Sequence, residues 1–254
     1  MILVKNNKSD NYSINIITVF KKIFVLILLV VILLGSPILA RSITNLFDFS
    51  TIDPDGVFMW LSIRHVLQAL IVLVLIGIIT KFFPVKFNLG LGNTKIGLRY
   101  LKRFVGIFFV YTMIAFLIIL LFGQFEVFPY PMNVRNISGY LAFQLFLSGP
   151  SEELIFRAFA ITIFSTFIIN KRINHRLSYA NLFGMLIFGI AHVSISLSPI
   201  SFEYSIPQIL LSVGLGYFYG DCYEKSKSVI YPMIMHSYTN VLMVGIAILL
   251  SIII

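Results

Sequence analysis

Seven long apolar runs constrain the fold of this chain more than any other feature of its sequence. They cover residues 23–40, 57–80, 104–122, 139–169, 178–197, 205–223 and 229–254. Each is close to or above the roughly 20 residues that a helix needs to cross the hydrocarbon core of a bilayer. Helices are the natural spanning form because a backbone in lipid must satisfy its own hydrogen bonds. The runs predict an all-α, polytopic membrane helix bundle with about seven transmembrane helices.

Composition excludes a soluble protein, because 59% of the residues are hydrophobic and only 11% are charged. A soluble domain carries roughly 25% charged residues. Of the 19 Lys and Arg residues, 15 fall in segments that lie inside if the N-terminus is inside. Positive charge accumulates on the cytoplasmic side of membrane proteins, so the net charge of +9 reports orientation and not nucleic-acid binding.

The orientation predicts that residues 1–22 form a cytoplasmic N-terminal tail. The first apolar run resembles a signal peptide in its basic flank, but Ile38 is a poor residue for the −3 position of a cleavage site. We therefore interpret this run as an uncleaved span. Residues 23–138 carry no recognisable motif, whereas residues 139–254 carry the polar groups considered next. Cys222 is the single cysteine, which excludes an intramolecular disulfide and a cysteine-based metal cluster.

Two adjacent carboxylates interrupt the fourth apolar run. Glu152 and Glu153 are followed by Arg157, and these are the only charged residues in 139–169. An ionisable group at membrane depth costs ~2.5–3.5 kcal/mol on insertion scales and usually marks a functional site. Glu153 and Arg157 can pair because residues four apart share a helix face. Glu152 lies ~100° around the helix and can face a neighbouring helix.

Two later runs add polar groups at helical spacing. Phe188 precedes His192 by four residues, and His236 precedes Asn240 by four. A carboxylate in an apolar setting suits a general base, a histidine can hold a water, and imidazole and amide groups can donate to an oxyanion. One Glu and two His are equally a plausible zinc site with an open position. Taken singly, each of these residues can also be an ordinary packing residue.

The three motifs, Glu-Glu-x-x-x-Arg, Phe-x-x-x-His and His-x-x-x-Asn, resemble in this order those of the CPBP (Abi) family, which is related to the type II CAAX prenyl proteases. The resemblance spans residues 139–244. It implies that Glu152 activates a water with His192, and that His236 and Asn240 stabilise the oxyanion. It implies that Glu153 and Arg157 form a supporting ion pair. We favour a metal-free reaction; if zinc takes part, its ligands are Glu152, His192 and His236.

The expected substrate is therefore a membrane-associated peptide or lipoprotein, and the expected location is a bacterial plasma membrane. A rhomboid-like serine protease built on Ser151 is a rival, but it leaves both carboxylates unexplained. A proton-coupled transporter could use Glu152 and the histidines as a relay. A bacteriocin self-immunity or scaffold protein would not require catalysis. Arg64 and His65, near the outer end of the second run, are interpreted as structural residues.

Overall fold

A computed structural model describes residues 16–123, 127–197 and 200–253 of the chain. The first 15 residues of the expected cytoplasmic tail lie outside this description. Seven helices and one two-stranded sheet make up the secondary structure of the described part. The predicted all-α membrane helix bundle is confirmed.

Three long helices form the N-terminal part of the bundle. They are α1 (Ile16–Thr44), α2 (Met59–Phe82) and α3 (Thr94–Phe122). All three are long and apolar enough to cross a membrane. The helix α1 begins seven residues before the predicted span, and α3 begins ten residues before its span. The early start of α3 follows from Asn93, whose side chain accepts a hydrogen bond from the Ile96 N–H and so caps the helix.

The helix that carries the two carboxylates is continuous over residues 134–167, and we call it α4. It alternates α-helical with π-helical segments, in the order Val134–Phe143, Gln144–Ser148 (π), Gly149–Glu153, Leu154–Phe159 (π) and Ala160–Phe167. Pro150 lies between the two π-helical turns and does not end the helix. Its ring removes one backbone donor, and a local π-helical turn is a common way for a helix to absorb such a defect. π-helical turns are frequent at functional sites.

The last elements are α5 (Tyr179–Ile190), β1 (Ser194–Leu197), β2 (Ile200–Glu203), α6 (Ile206–Ser226) and α7 (Ile230–Ile253). The strands β1 and β2 pair antiparallel. The predicted span 178–197 is therefore wrong at its C-terminal end, where the helix stops at Ile190. Among the described residues, α7 is the fourth helix long and apolar enough to span a membrane, and α5 is a shorter apolar helix.

The centre of the bundle is the inner half of α4. Every residue from 153 to 163 is buried, and this stretch packs against α1, α2, α5 and α6. A second cluster of buried side chains joins α3 to α6 and α7 through Phe104, Tyr219 and Met235. The two clusters meet at the residues of the candidate site.

Candidate active site

A fully buried ion pair forms the base of the site. Arg157 Nε lies 3.0 Å from Glu153 Oε2, and both side chains have 0% exposure. The pairing predicted from their spacing is therefore present. The Arg157 guanidinium also lies over the rings of Phe188, at 4.6 Å, and Tyr219, at 5.6 Å. Pairing and aromatic contact together compensate a charge that would otherwise be stranded in an apolar core.

His236 of α7 connects this ion pair to the second carboxylate. Its Nδ1 lies 2.9 Å from Glu153 Oε1, and its Nε2 lies 3.9 Å from Glu152 Oε2. A carboxylate can only accept, so Nδ1 carries the hydrogen and donates it to Glu153. In the neutral ring, Nε2 is then an unprotonated acceptor that faces Glu152.

Close approach of the α4 and α7 backbones makes this contact possible. A Cβ atom on Gly149 would lie only 2.8 Å from the backbone nitrogen of Ser237 and 3.1 Å from His236 Cβ. Any side chain at Gly149 would therefore push the two helices apart. The glycine that precedes Pro150 in the sequence is thus explained by packing.

Two aromatic rings orient the imidazole of His236. Tyr219 of α6 stacks on it, with centroids 5.2 Å apart and planes inclined by 24°. Phe188 of α5 meets it edge-on at 5.7 Å. The Tyr219 hydroxyl is itself fixed by Thr239 Oγ1 at 2.8 Å. Phe188, which the motif singled out, thus contacts both Arg157 and His236.

His192 lies just beyond the C-terminal end of α5. Its Nδ1 is 2.8 Å from the carbonyl oxygen of Phe188, and its ring meets the Phe188 ring at 4.9 Å. Since a carbonyl only accepts, Nδ1 is the donor and Nε2 is again free as an acceptor. His192 and His236 both interact electrostatically with Glu152.

Asn240 lies one helical turn beyond His236 on α7. Its Nδ2 donates to Ser148 Oγ at 3.1 Å, which leaves the second amide hydrogen for another partner. Ser148 ends the first π-helical turn, four residues before Glu152. His236 and Asn240 of α7 thus both contact the part of α4 between Ser148 and Glu153.

Exposure distinguishes the two glutamates. The Glu152 side chain is 21% exposed, whereas the Glu153 side chain has no exposed surface. Only Glu152 can therefore meet a water molecule or a substrate. Glu153 Oε1 accepts a hydrogen bond from His236, and Oε2 lies at ion-pair distance from Arg157.

Arg64 and His65 of α2 also lie at the site, which sequence reasoning missed. His65 Nδ1 is 2.7 Å from Ser151 Oγ, and its Nε2 is 2.8 Å from Arg64 Nη2. Ser151 Oγ in turn donates to the carbonyl oxygen of Ser148 at 3.0 Å. Arg64 and His65 both interact electrostatically with Glu152. The only sequence signal was a charged residue and a histidine together inside an apolar run.

The hydrogen-bond directions argue against Ser151 as a nucleophile. Arg64 can only donate, so His65 Nε2 must be the acceptor, and Nδ1 must carry the hydrogen that faces Ser151. A general base needs a free lone pair at that position, and His65 has none. Ser151 is moreover buried. This pair therefore holds the α4 turn in place and does not form a catalytic Ser-His dyad.

A zinc ion was the open alternative for the motif residues. Among the residues that the structure describes, no three His, Cys, Asp or Glu side chains are grouped so that they could hold a metal ion. Metal-free catalysis and zinc binding by Glu152, His192 and His236 both stay predictions. The chemistry below is derived from the side chains of the chain alone.

Residues 134–242 match the family model described as Type II CAAX prenyl endopeptidase Rce1-like. This match confirms the family resemblance that the three motifs predicted, and it contains all of the motif residues. Searches of curated proteins and of solved structures found no match to the chain. Arg64 and His65 lie outside the matched residues.

Proposed function

We propose that this multi-pass membrane protein hydrolyses a peptide bond at or within the membrane. Its residues 134–242 match the model of the type II CAAX prenyl endopeptidase Rce1-like family. At family level the match supports a CAAX-type intramembrane protease. The observation that carries the finer proposal is the environment of Glu152. This partly exposed carboxylate lies 3.9 Å from Nε2 of His236, beside the fully buried ion pair of Glu153 and Arg157.

In this proposal Glu152 is the general base. A water molecule donates one hydrogen to Glu152 and its second to the free Nε2 of His192. As the water oxygen attacks the carbonyl carbon, its proton passes to Glu152, and the carbonyl oxygen becomes an oxyanion. General acid–base assistance of this kind contributes about 10²–10⁴-fold.

The oxyanion is stabilised from α7. Asn240 supplies its unused amide hydrogen, and His236 in its protonated form supplies Nε2–H. When the tetrahedral intermediate collapses, Glu152 returns its proton to the leaving nitrogen, so that a carboxylic acid and an amine are the products.

The substrate class that fits is a membrane-associated peptide or lipoprotein, because the reacting groups lie within a bundle of membrane-spanning helices. A bacterial plasma membrane is the location we propose. Glu153 and Arg157 are fully buried, and their proposed role is to orient the His236 ring through its Nδ1–H.

The experiment that tests this proposal is cleavage of a quenched, lipidated peptide by the purified protein in detergent. We expect Glu152→Gln to lower kcat about 10³-fold, within the range for loss of a general base, without lowering the melting temperature. The matched control is Glu203→Gln, which removes an exposed carboxylate outside the site and should leave cleavage unchanged.

Cleavage by Glu152→Gln at the wild-type rate would contradict the proposal. Each protein is also assayed with a strong zinc chelator. Loss of wild-type activity that zinc restores would assign Glu152, His192 and His236 to a metal. If no protein cleaves, a protection or flux assay with Glu152→Gln decides between the immunity and transport readings.

A further inference from the structure

A groove lies between α3 and α6. Its volume is about 640 Å³. Apolar and aromatic side chains form most of its wall, and they come from both helices: Phe104, Ile107, Phe108, Leu210, Leu211 and Phe218. Nothing in the proposed reaction uses this groove.

One end of the groove is strongly basic. Arg103 of α3, Lys225 of α6 and Arg176 of the loop before α5 line it there. Lys225 is committed to Asp221, 2.9 Å away. The guanidinium groups of Arg103 and Arg176 are exposed and make no ion pair or hydrogen bond with other described residues. Two positive charges at this end therefore lack a protein counter-charge.

The basic end is the cytoplasmic end by the distribution of Lys and Arg along the chain. From there the groove follows α3 from Tyr100 to Tyr111, which is ~16 Å at 1.5 Å per residue. This length matches one leaflet of a hydrocarbon core that is roughly 30 Å thick. An apolar channel of one leaflet's depth with cations at the headgroup level has the form of a lipid site.

We propose that this groove binds an anionic phospholipid of the cytoplasmic leaflet. An acyl chain lies along the apolar wall between Ile107 and Leu211, and the phosphate contacts Arg103 and Arg176. Basic pockets between membrane helices on the cytoplasmic side are known to suit acidic headgroups. A zwitterionic phospholipid brings its own cation beside the phosphate and so adds no net negative charge, and an uncharged chain offers no phosphate at all.

Binding is tested on the purified, delipidated full chain in detergent, independently of any protease activity. Native mass spectrometry measures the retention of phosphatidylglycerol and of phosphatidylcholine with the same acyl chains. The double variant Arg103→Gln/Arg176→Gln should weaken phosphatidylglycerol retention about 30-fold, equivalent to about 2 kcal/mol for two cations near a membrane surface. The matched control is Lys81→Gln/Lys86→Gln, which removes the same charge from exposed positions at the same membrane face.

A second pair of variants tests the acyl-chain channel. Gly214 lines the groove, and a Cβ there would meet nothing within 4 Å, so Gly214→Leu fills the channel without a clash. Gly245 on α7 is equally unobstructed but lies outside the groove, so Gly245→Leu is the control. Gly214→Leu should lower phosphatidylglycerol retention severalfold, while Gly245→Leu should not.

Equal retention of the two lipids by the wild type would overturn the proposal, as would unchanged retention in the double arginine variant. If inorganic phosphate displaces the lipid and Gly214→Leu has no effect, the site is a surface anion site and the groove is not occupied. Melting temperatures in phosphatidylcholine establish that each variant is folded.

Discussion

The N-terminal helices and the centre of α4 belong to one bundle but differ in what surrounds their side chains. In the most apolar windows of α1, α2 and α3, only 22%, 22% and 17% of the residues are buried. In α4, every residue from 153 to 163 is buried, although two of them are charged. The first region meets lipid with apolar side chains. The second meets protein, and neighbouring helices supply the partners that make its charges tolerable.

The two regions meet where α2 contacts α4. His65 and Arg64 are polar residues in the mostly lipid-facing α2, and they lie where α2 contacts Ser151 of α4. These two polar residues of α2 therefore lie where the helix offers them a protein partner. Substitutions in the buried centre of α4, at the contact between α2 and α4, and at the outer end of α2 test how much each polar partner contributes.

Removal of Arg157 should have the largest effect on folding. Arg157→Ala strands the buried carboxylate of Glu153, and breaking a buried pair from one side costs about 3–5 kcal/mol. We expect a sharp fall in membrane abundance and in melting temperature in detergent. The double variant Glu153→Leu/Arg157→Met should recover most of that loss, because apolar residues of similar volume replace both charges.

The control for Arg157 is an ion pair at the surface. Arg135 and Asp55 are 2.7 Å apart, with side chains 46% and 30% exposed. Arg135→Ala should cost no more than ~1 kcal/mol, because exposed pairs contribute little. Equal melting temperatures for Arg157→Ala and Arg135→Ala would contradict the contrast between the two regions.

The motif residues could be predicted from sequence because their spacing is local. Glu153 and Arg157 are four apart, as are His236 and Asn240, so helical periodicity alone places each pair on one face. Their family motif then related the separate helices. The relative depths of Glu152 and His236 in the membrane were predicted less well. A count of helix rise from the predicted inside ends puts Glu152 about 20 Å deep and His236 only ~10 Å deep.

That depth estimate is wrong, since Glu152 Oε2 and His236 Nε2 are 3.9 Å apart. It treats the helices as parallel and regular, whereas α4 contains two π-helical turns. The role of His65 could not be predicted because its partner is 86 residues away. The hairpin after α5 lies partly in a run that hydropathy alone assigns to a helix. Its only sequence signal is the alternation of polar and apolar residues in Ser194–Leu197.

His65 should have an intermediate effect, at the junction of the two regions. His65→Ala leaves Ser151 and Arg64 without their partner, so we expect a fall in kcat of about tenfold, the size of one lost hydrogen bond, with little change in KM. His65→Gln should restore most of the rate, because an amide can accept from Arg64 and donate to Ser151. His175→Ala, which changes an exposed histidine, is the control.

Two measurements distinguish a positioning role of His65 from a catalytic pair in which His65 is a general base and Ser151 a nucleophile. A positioning role leaves the shape of the pH–rate profile unchanged in His65→Gln, whereas a general base at His65 would remove one limb of it. Ser151→Ala should retain cleavage within about tenfold, as expected for one lost hydrogen bond. Complete loss of cleavage in folded Ser151→Ala would point to a serine nucleophile and against Glu152 as the base.

Asp53, a buried residue at the outer end of α2, should have a smaller effect than Arg157 or His65. Its carboxylate accepts hydrogen bonds from the N–H groups of Val57, Phe58 and Met59 and so caps the start of α2. Burial raises the pKa of Asp53, but these three bonds and the nearby Arg135 outweigh it and hold the pKa below its usual 3.8. Loss of such a cap in Asp53→Ala should cost about 0.5–2 kcal/mol.

The sign of the pH dependence follows from that lowered pKa. The folded state binds the proton of Asp53 more weakly than the unfolded state, so the carboxylate stabilises the fold in full above pH 3.8, and this contribution is lost as the pH falls through the lowered value. The melting-temperature difference between wild type and Asp53→Ala should therefore be constant near neutral pH and shrink in acid. The control is Asp48→Ala in the same loop, whose exposed carboxylate accepts hydrogen bonds from Ser50 and which should show a smaller difference than Asp53→Ala. A difference for Asp53→Ala that does not shrink in acid would mean that this side chain acts through packing, as the apolar residues of α1–α3 do, and not through its charge.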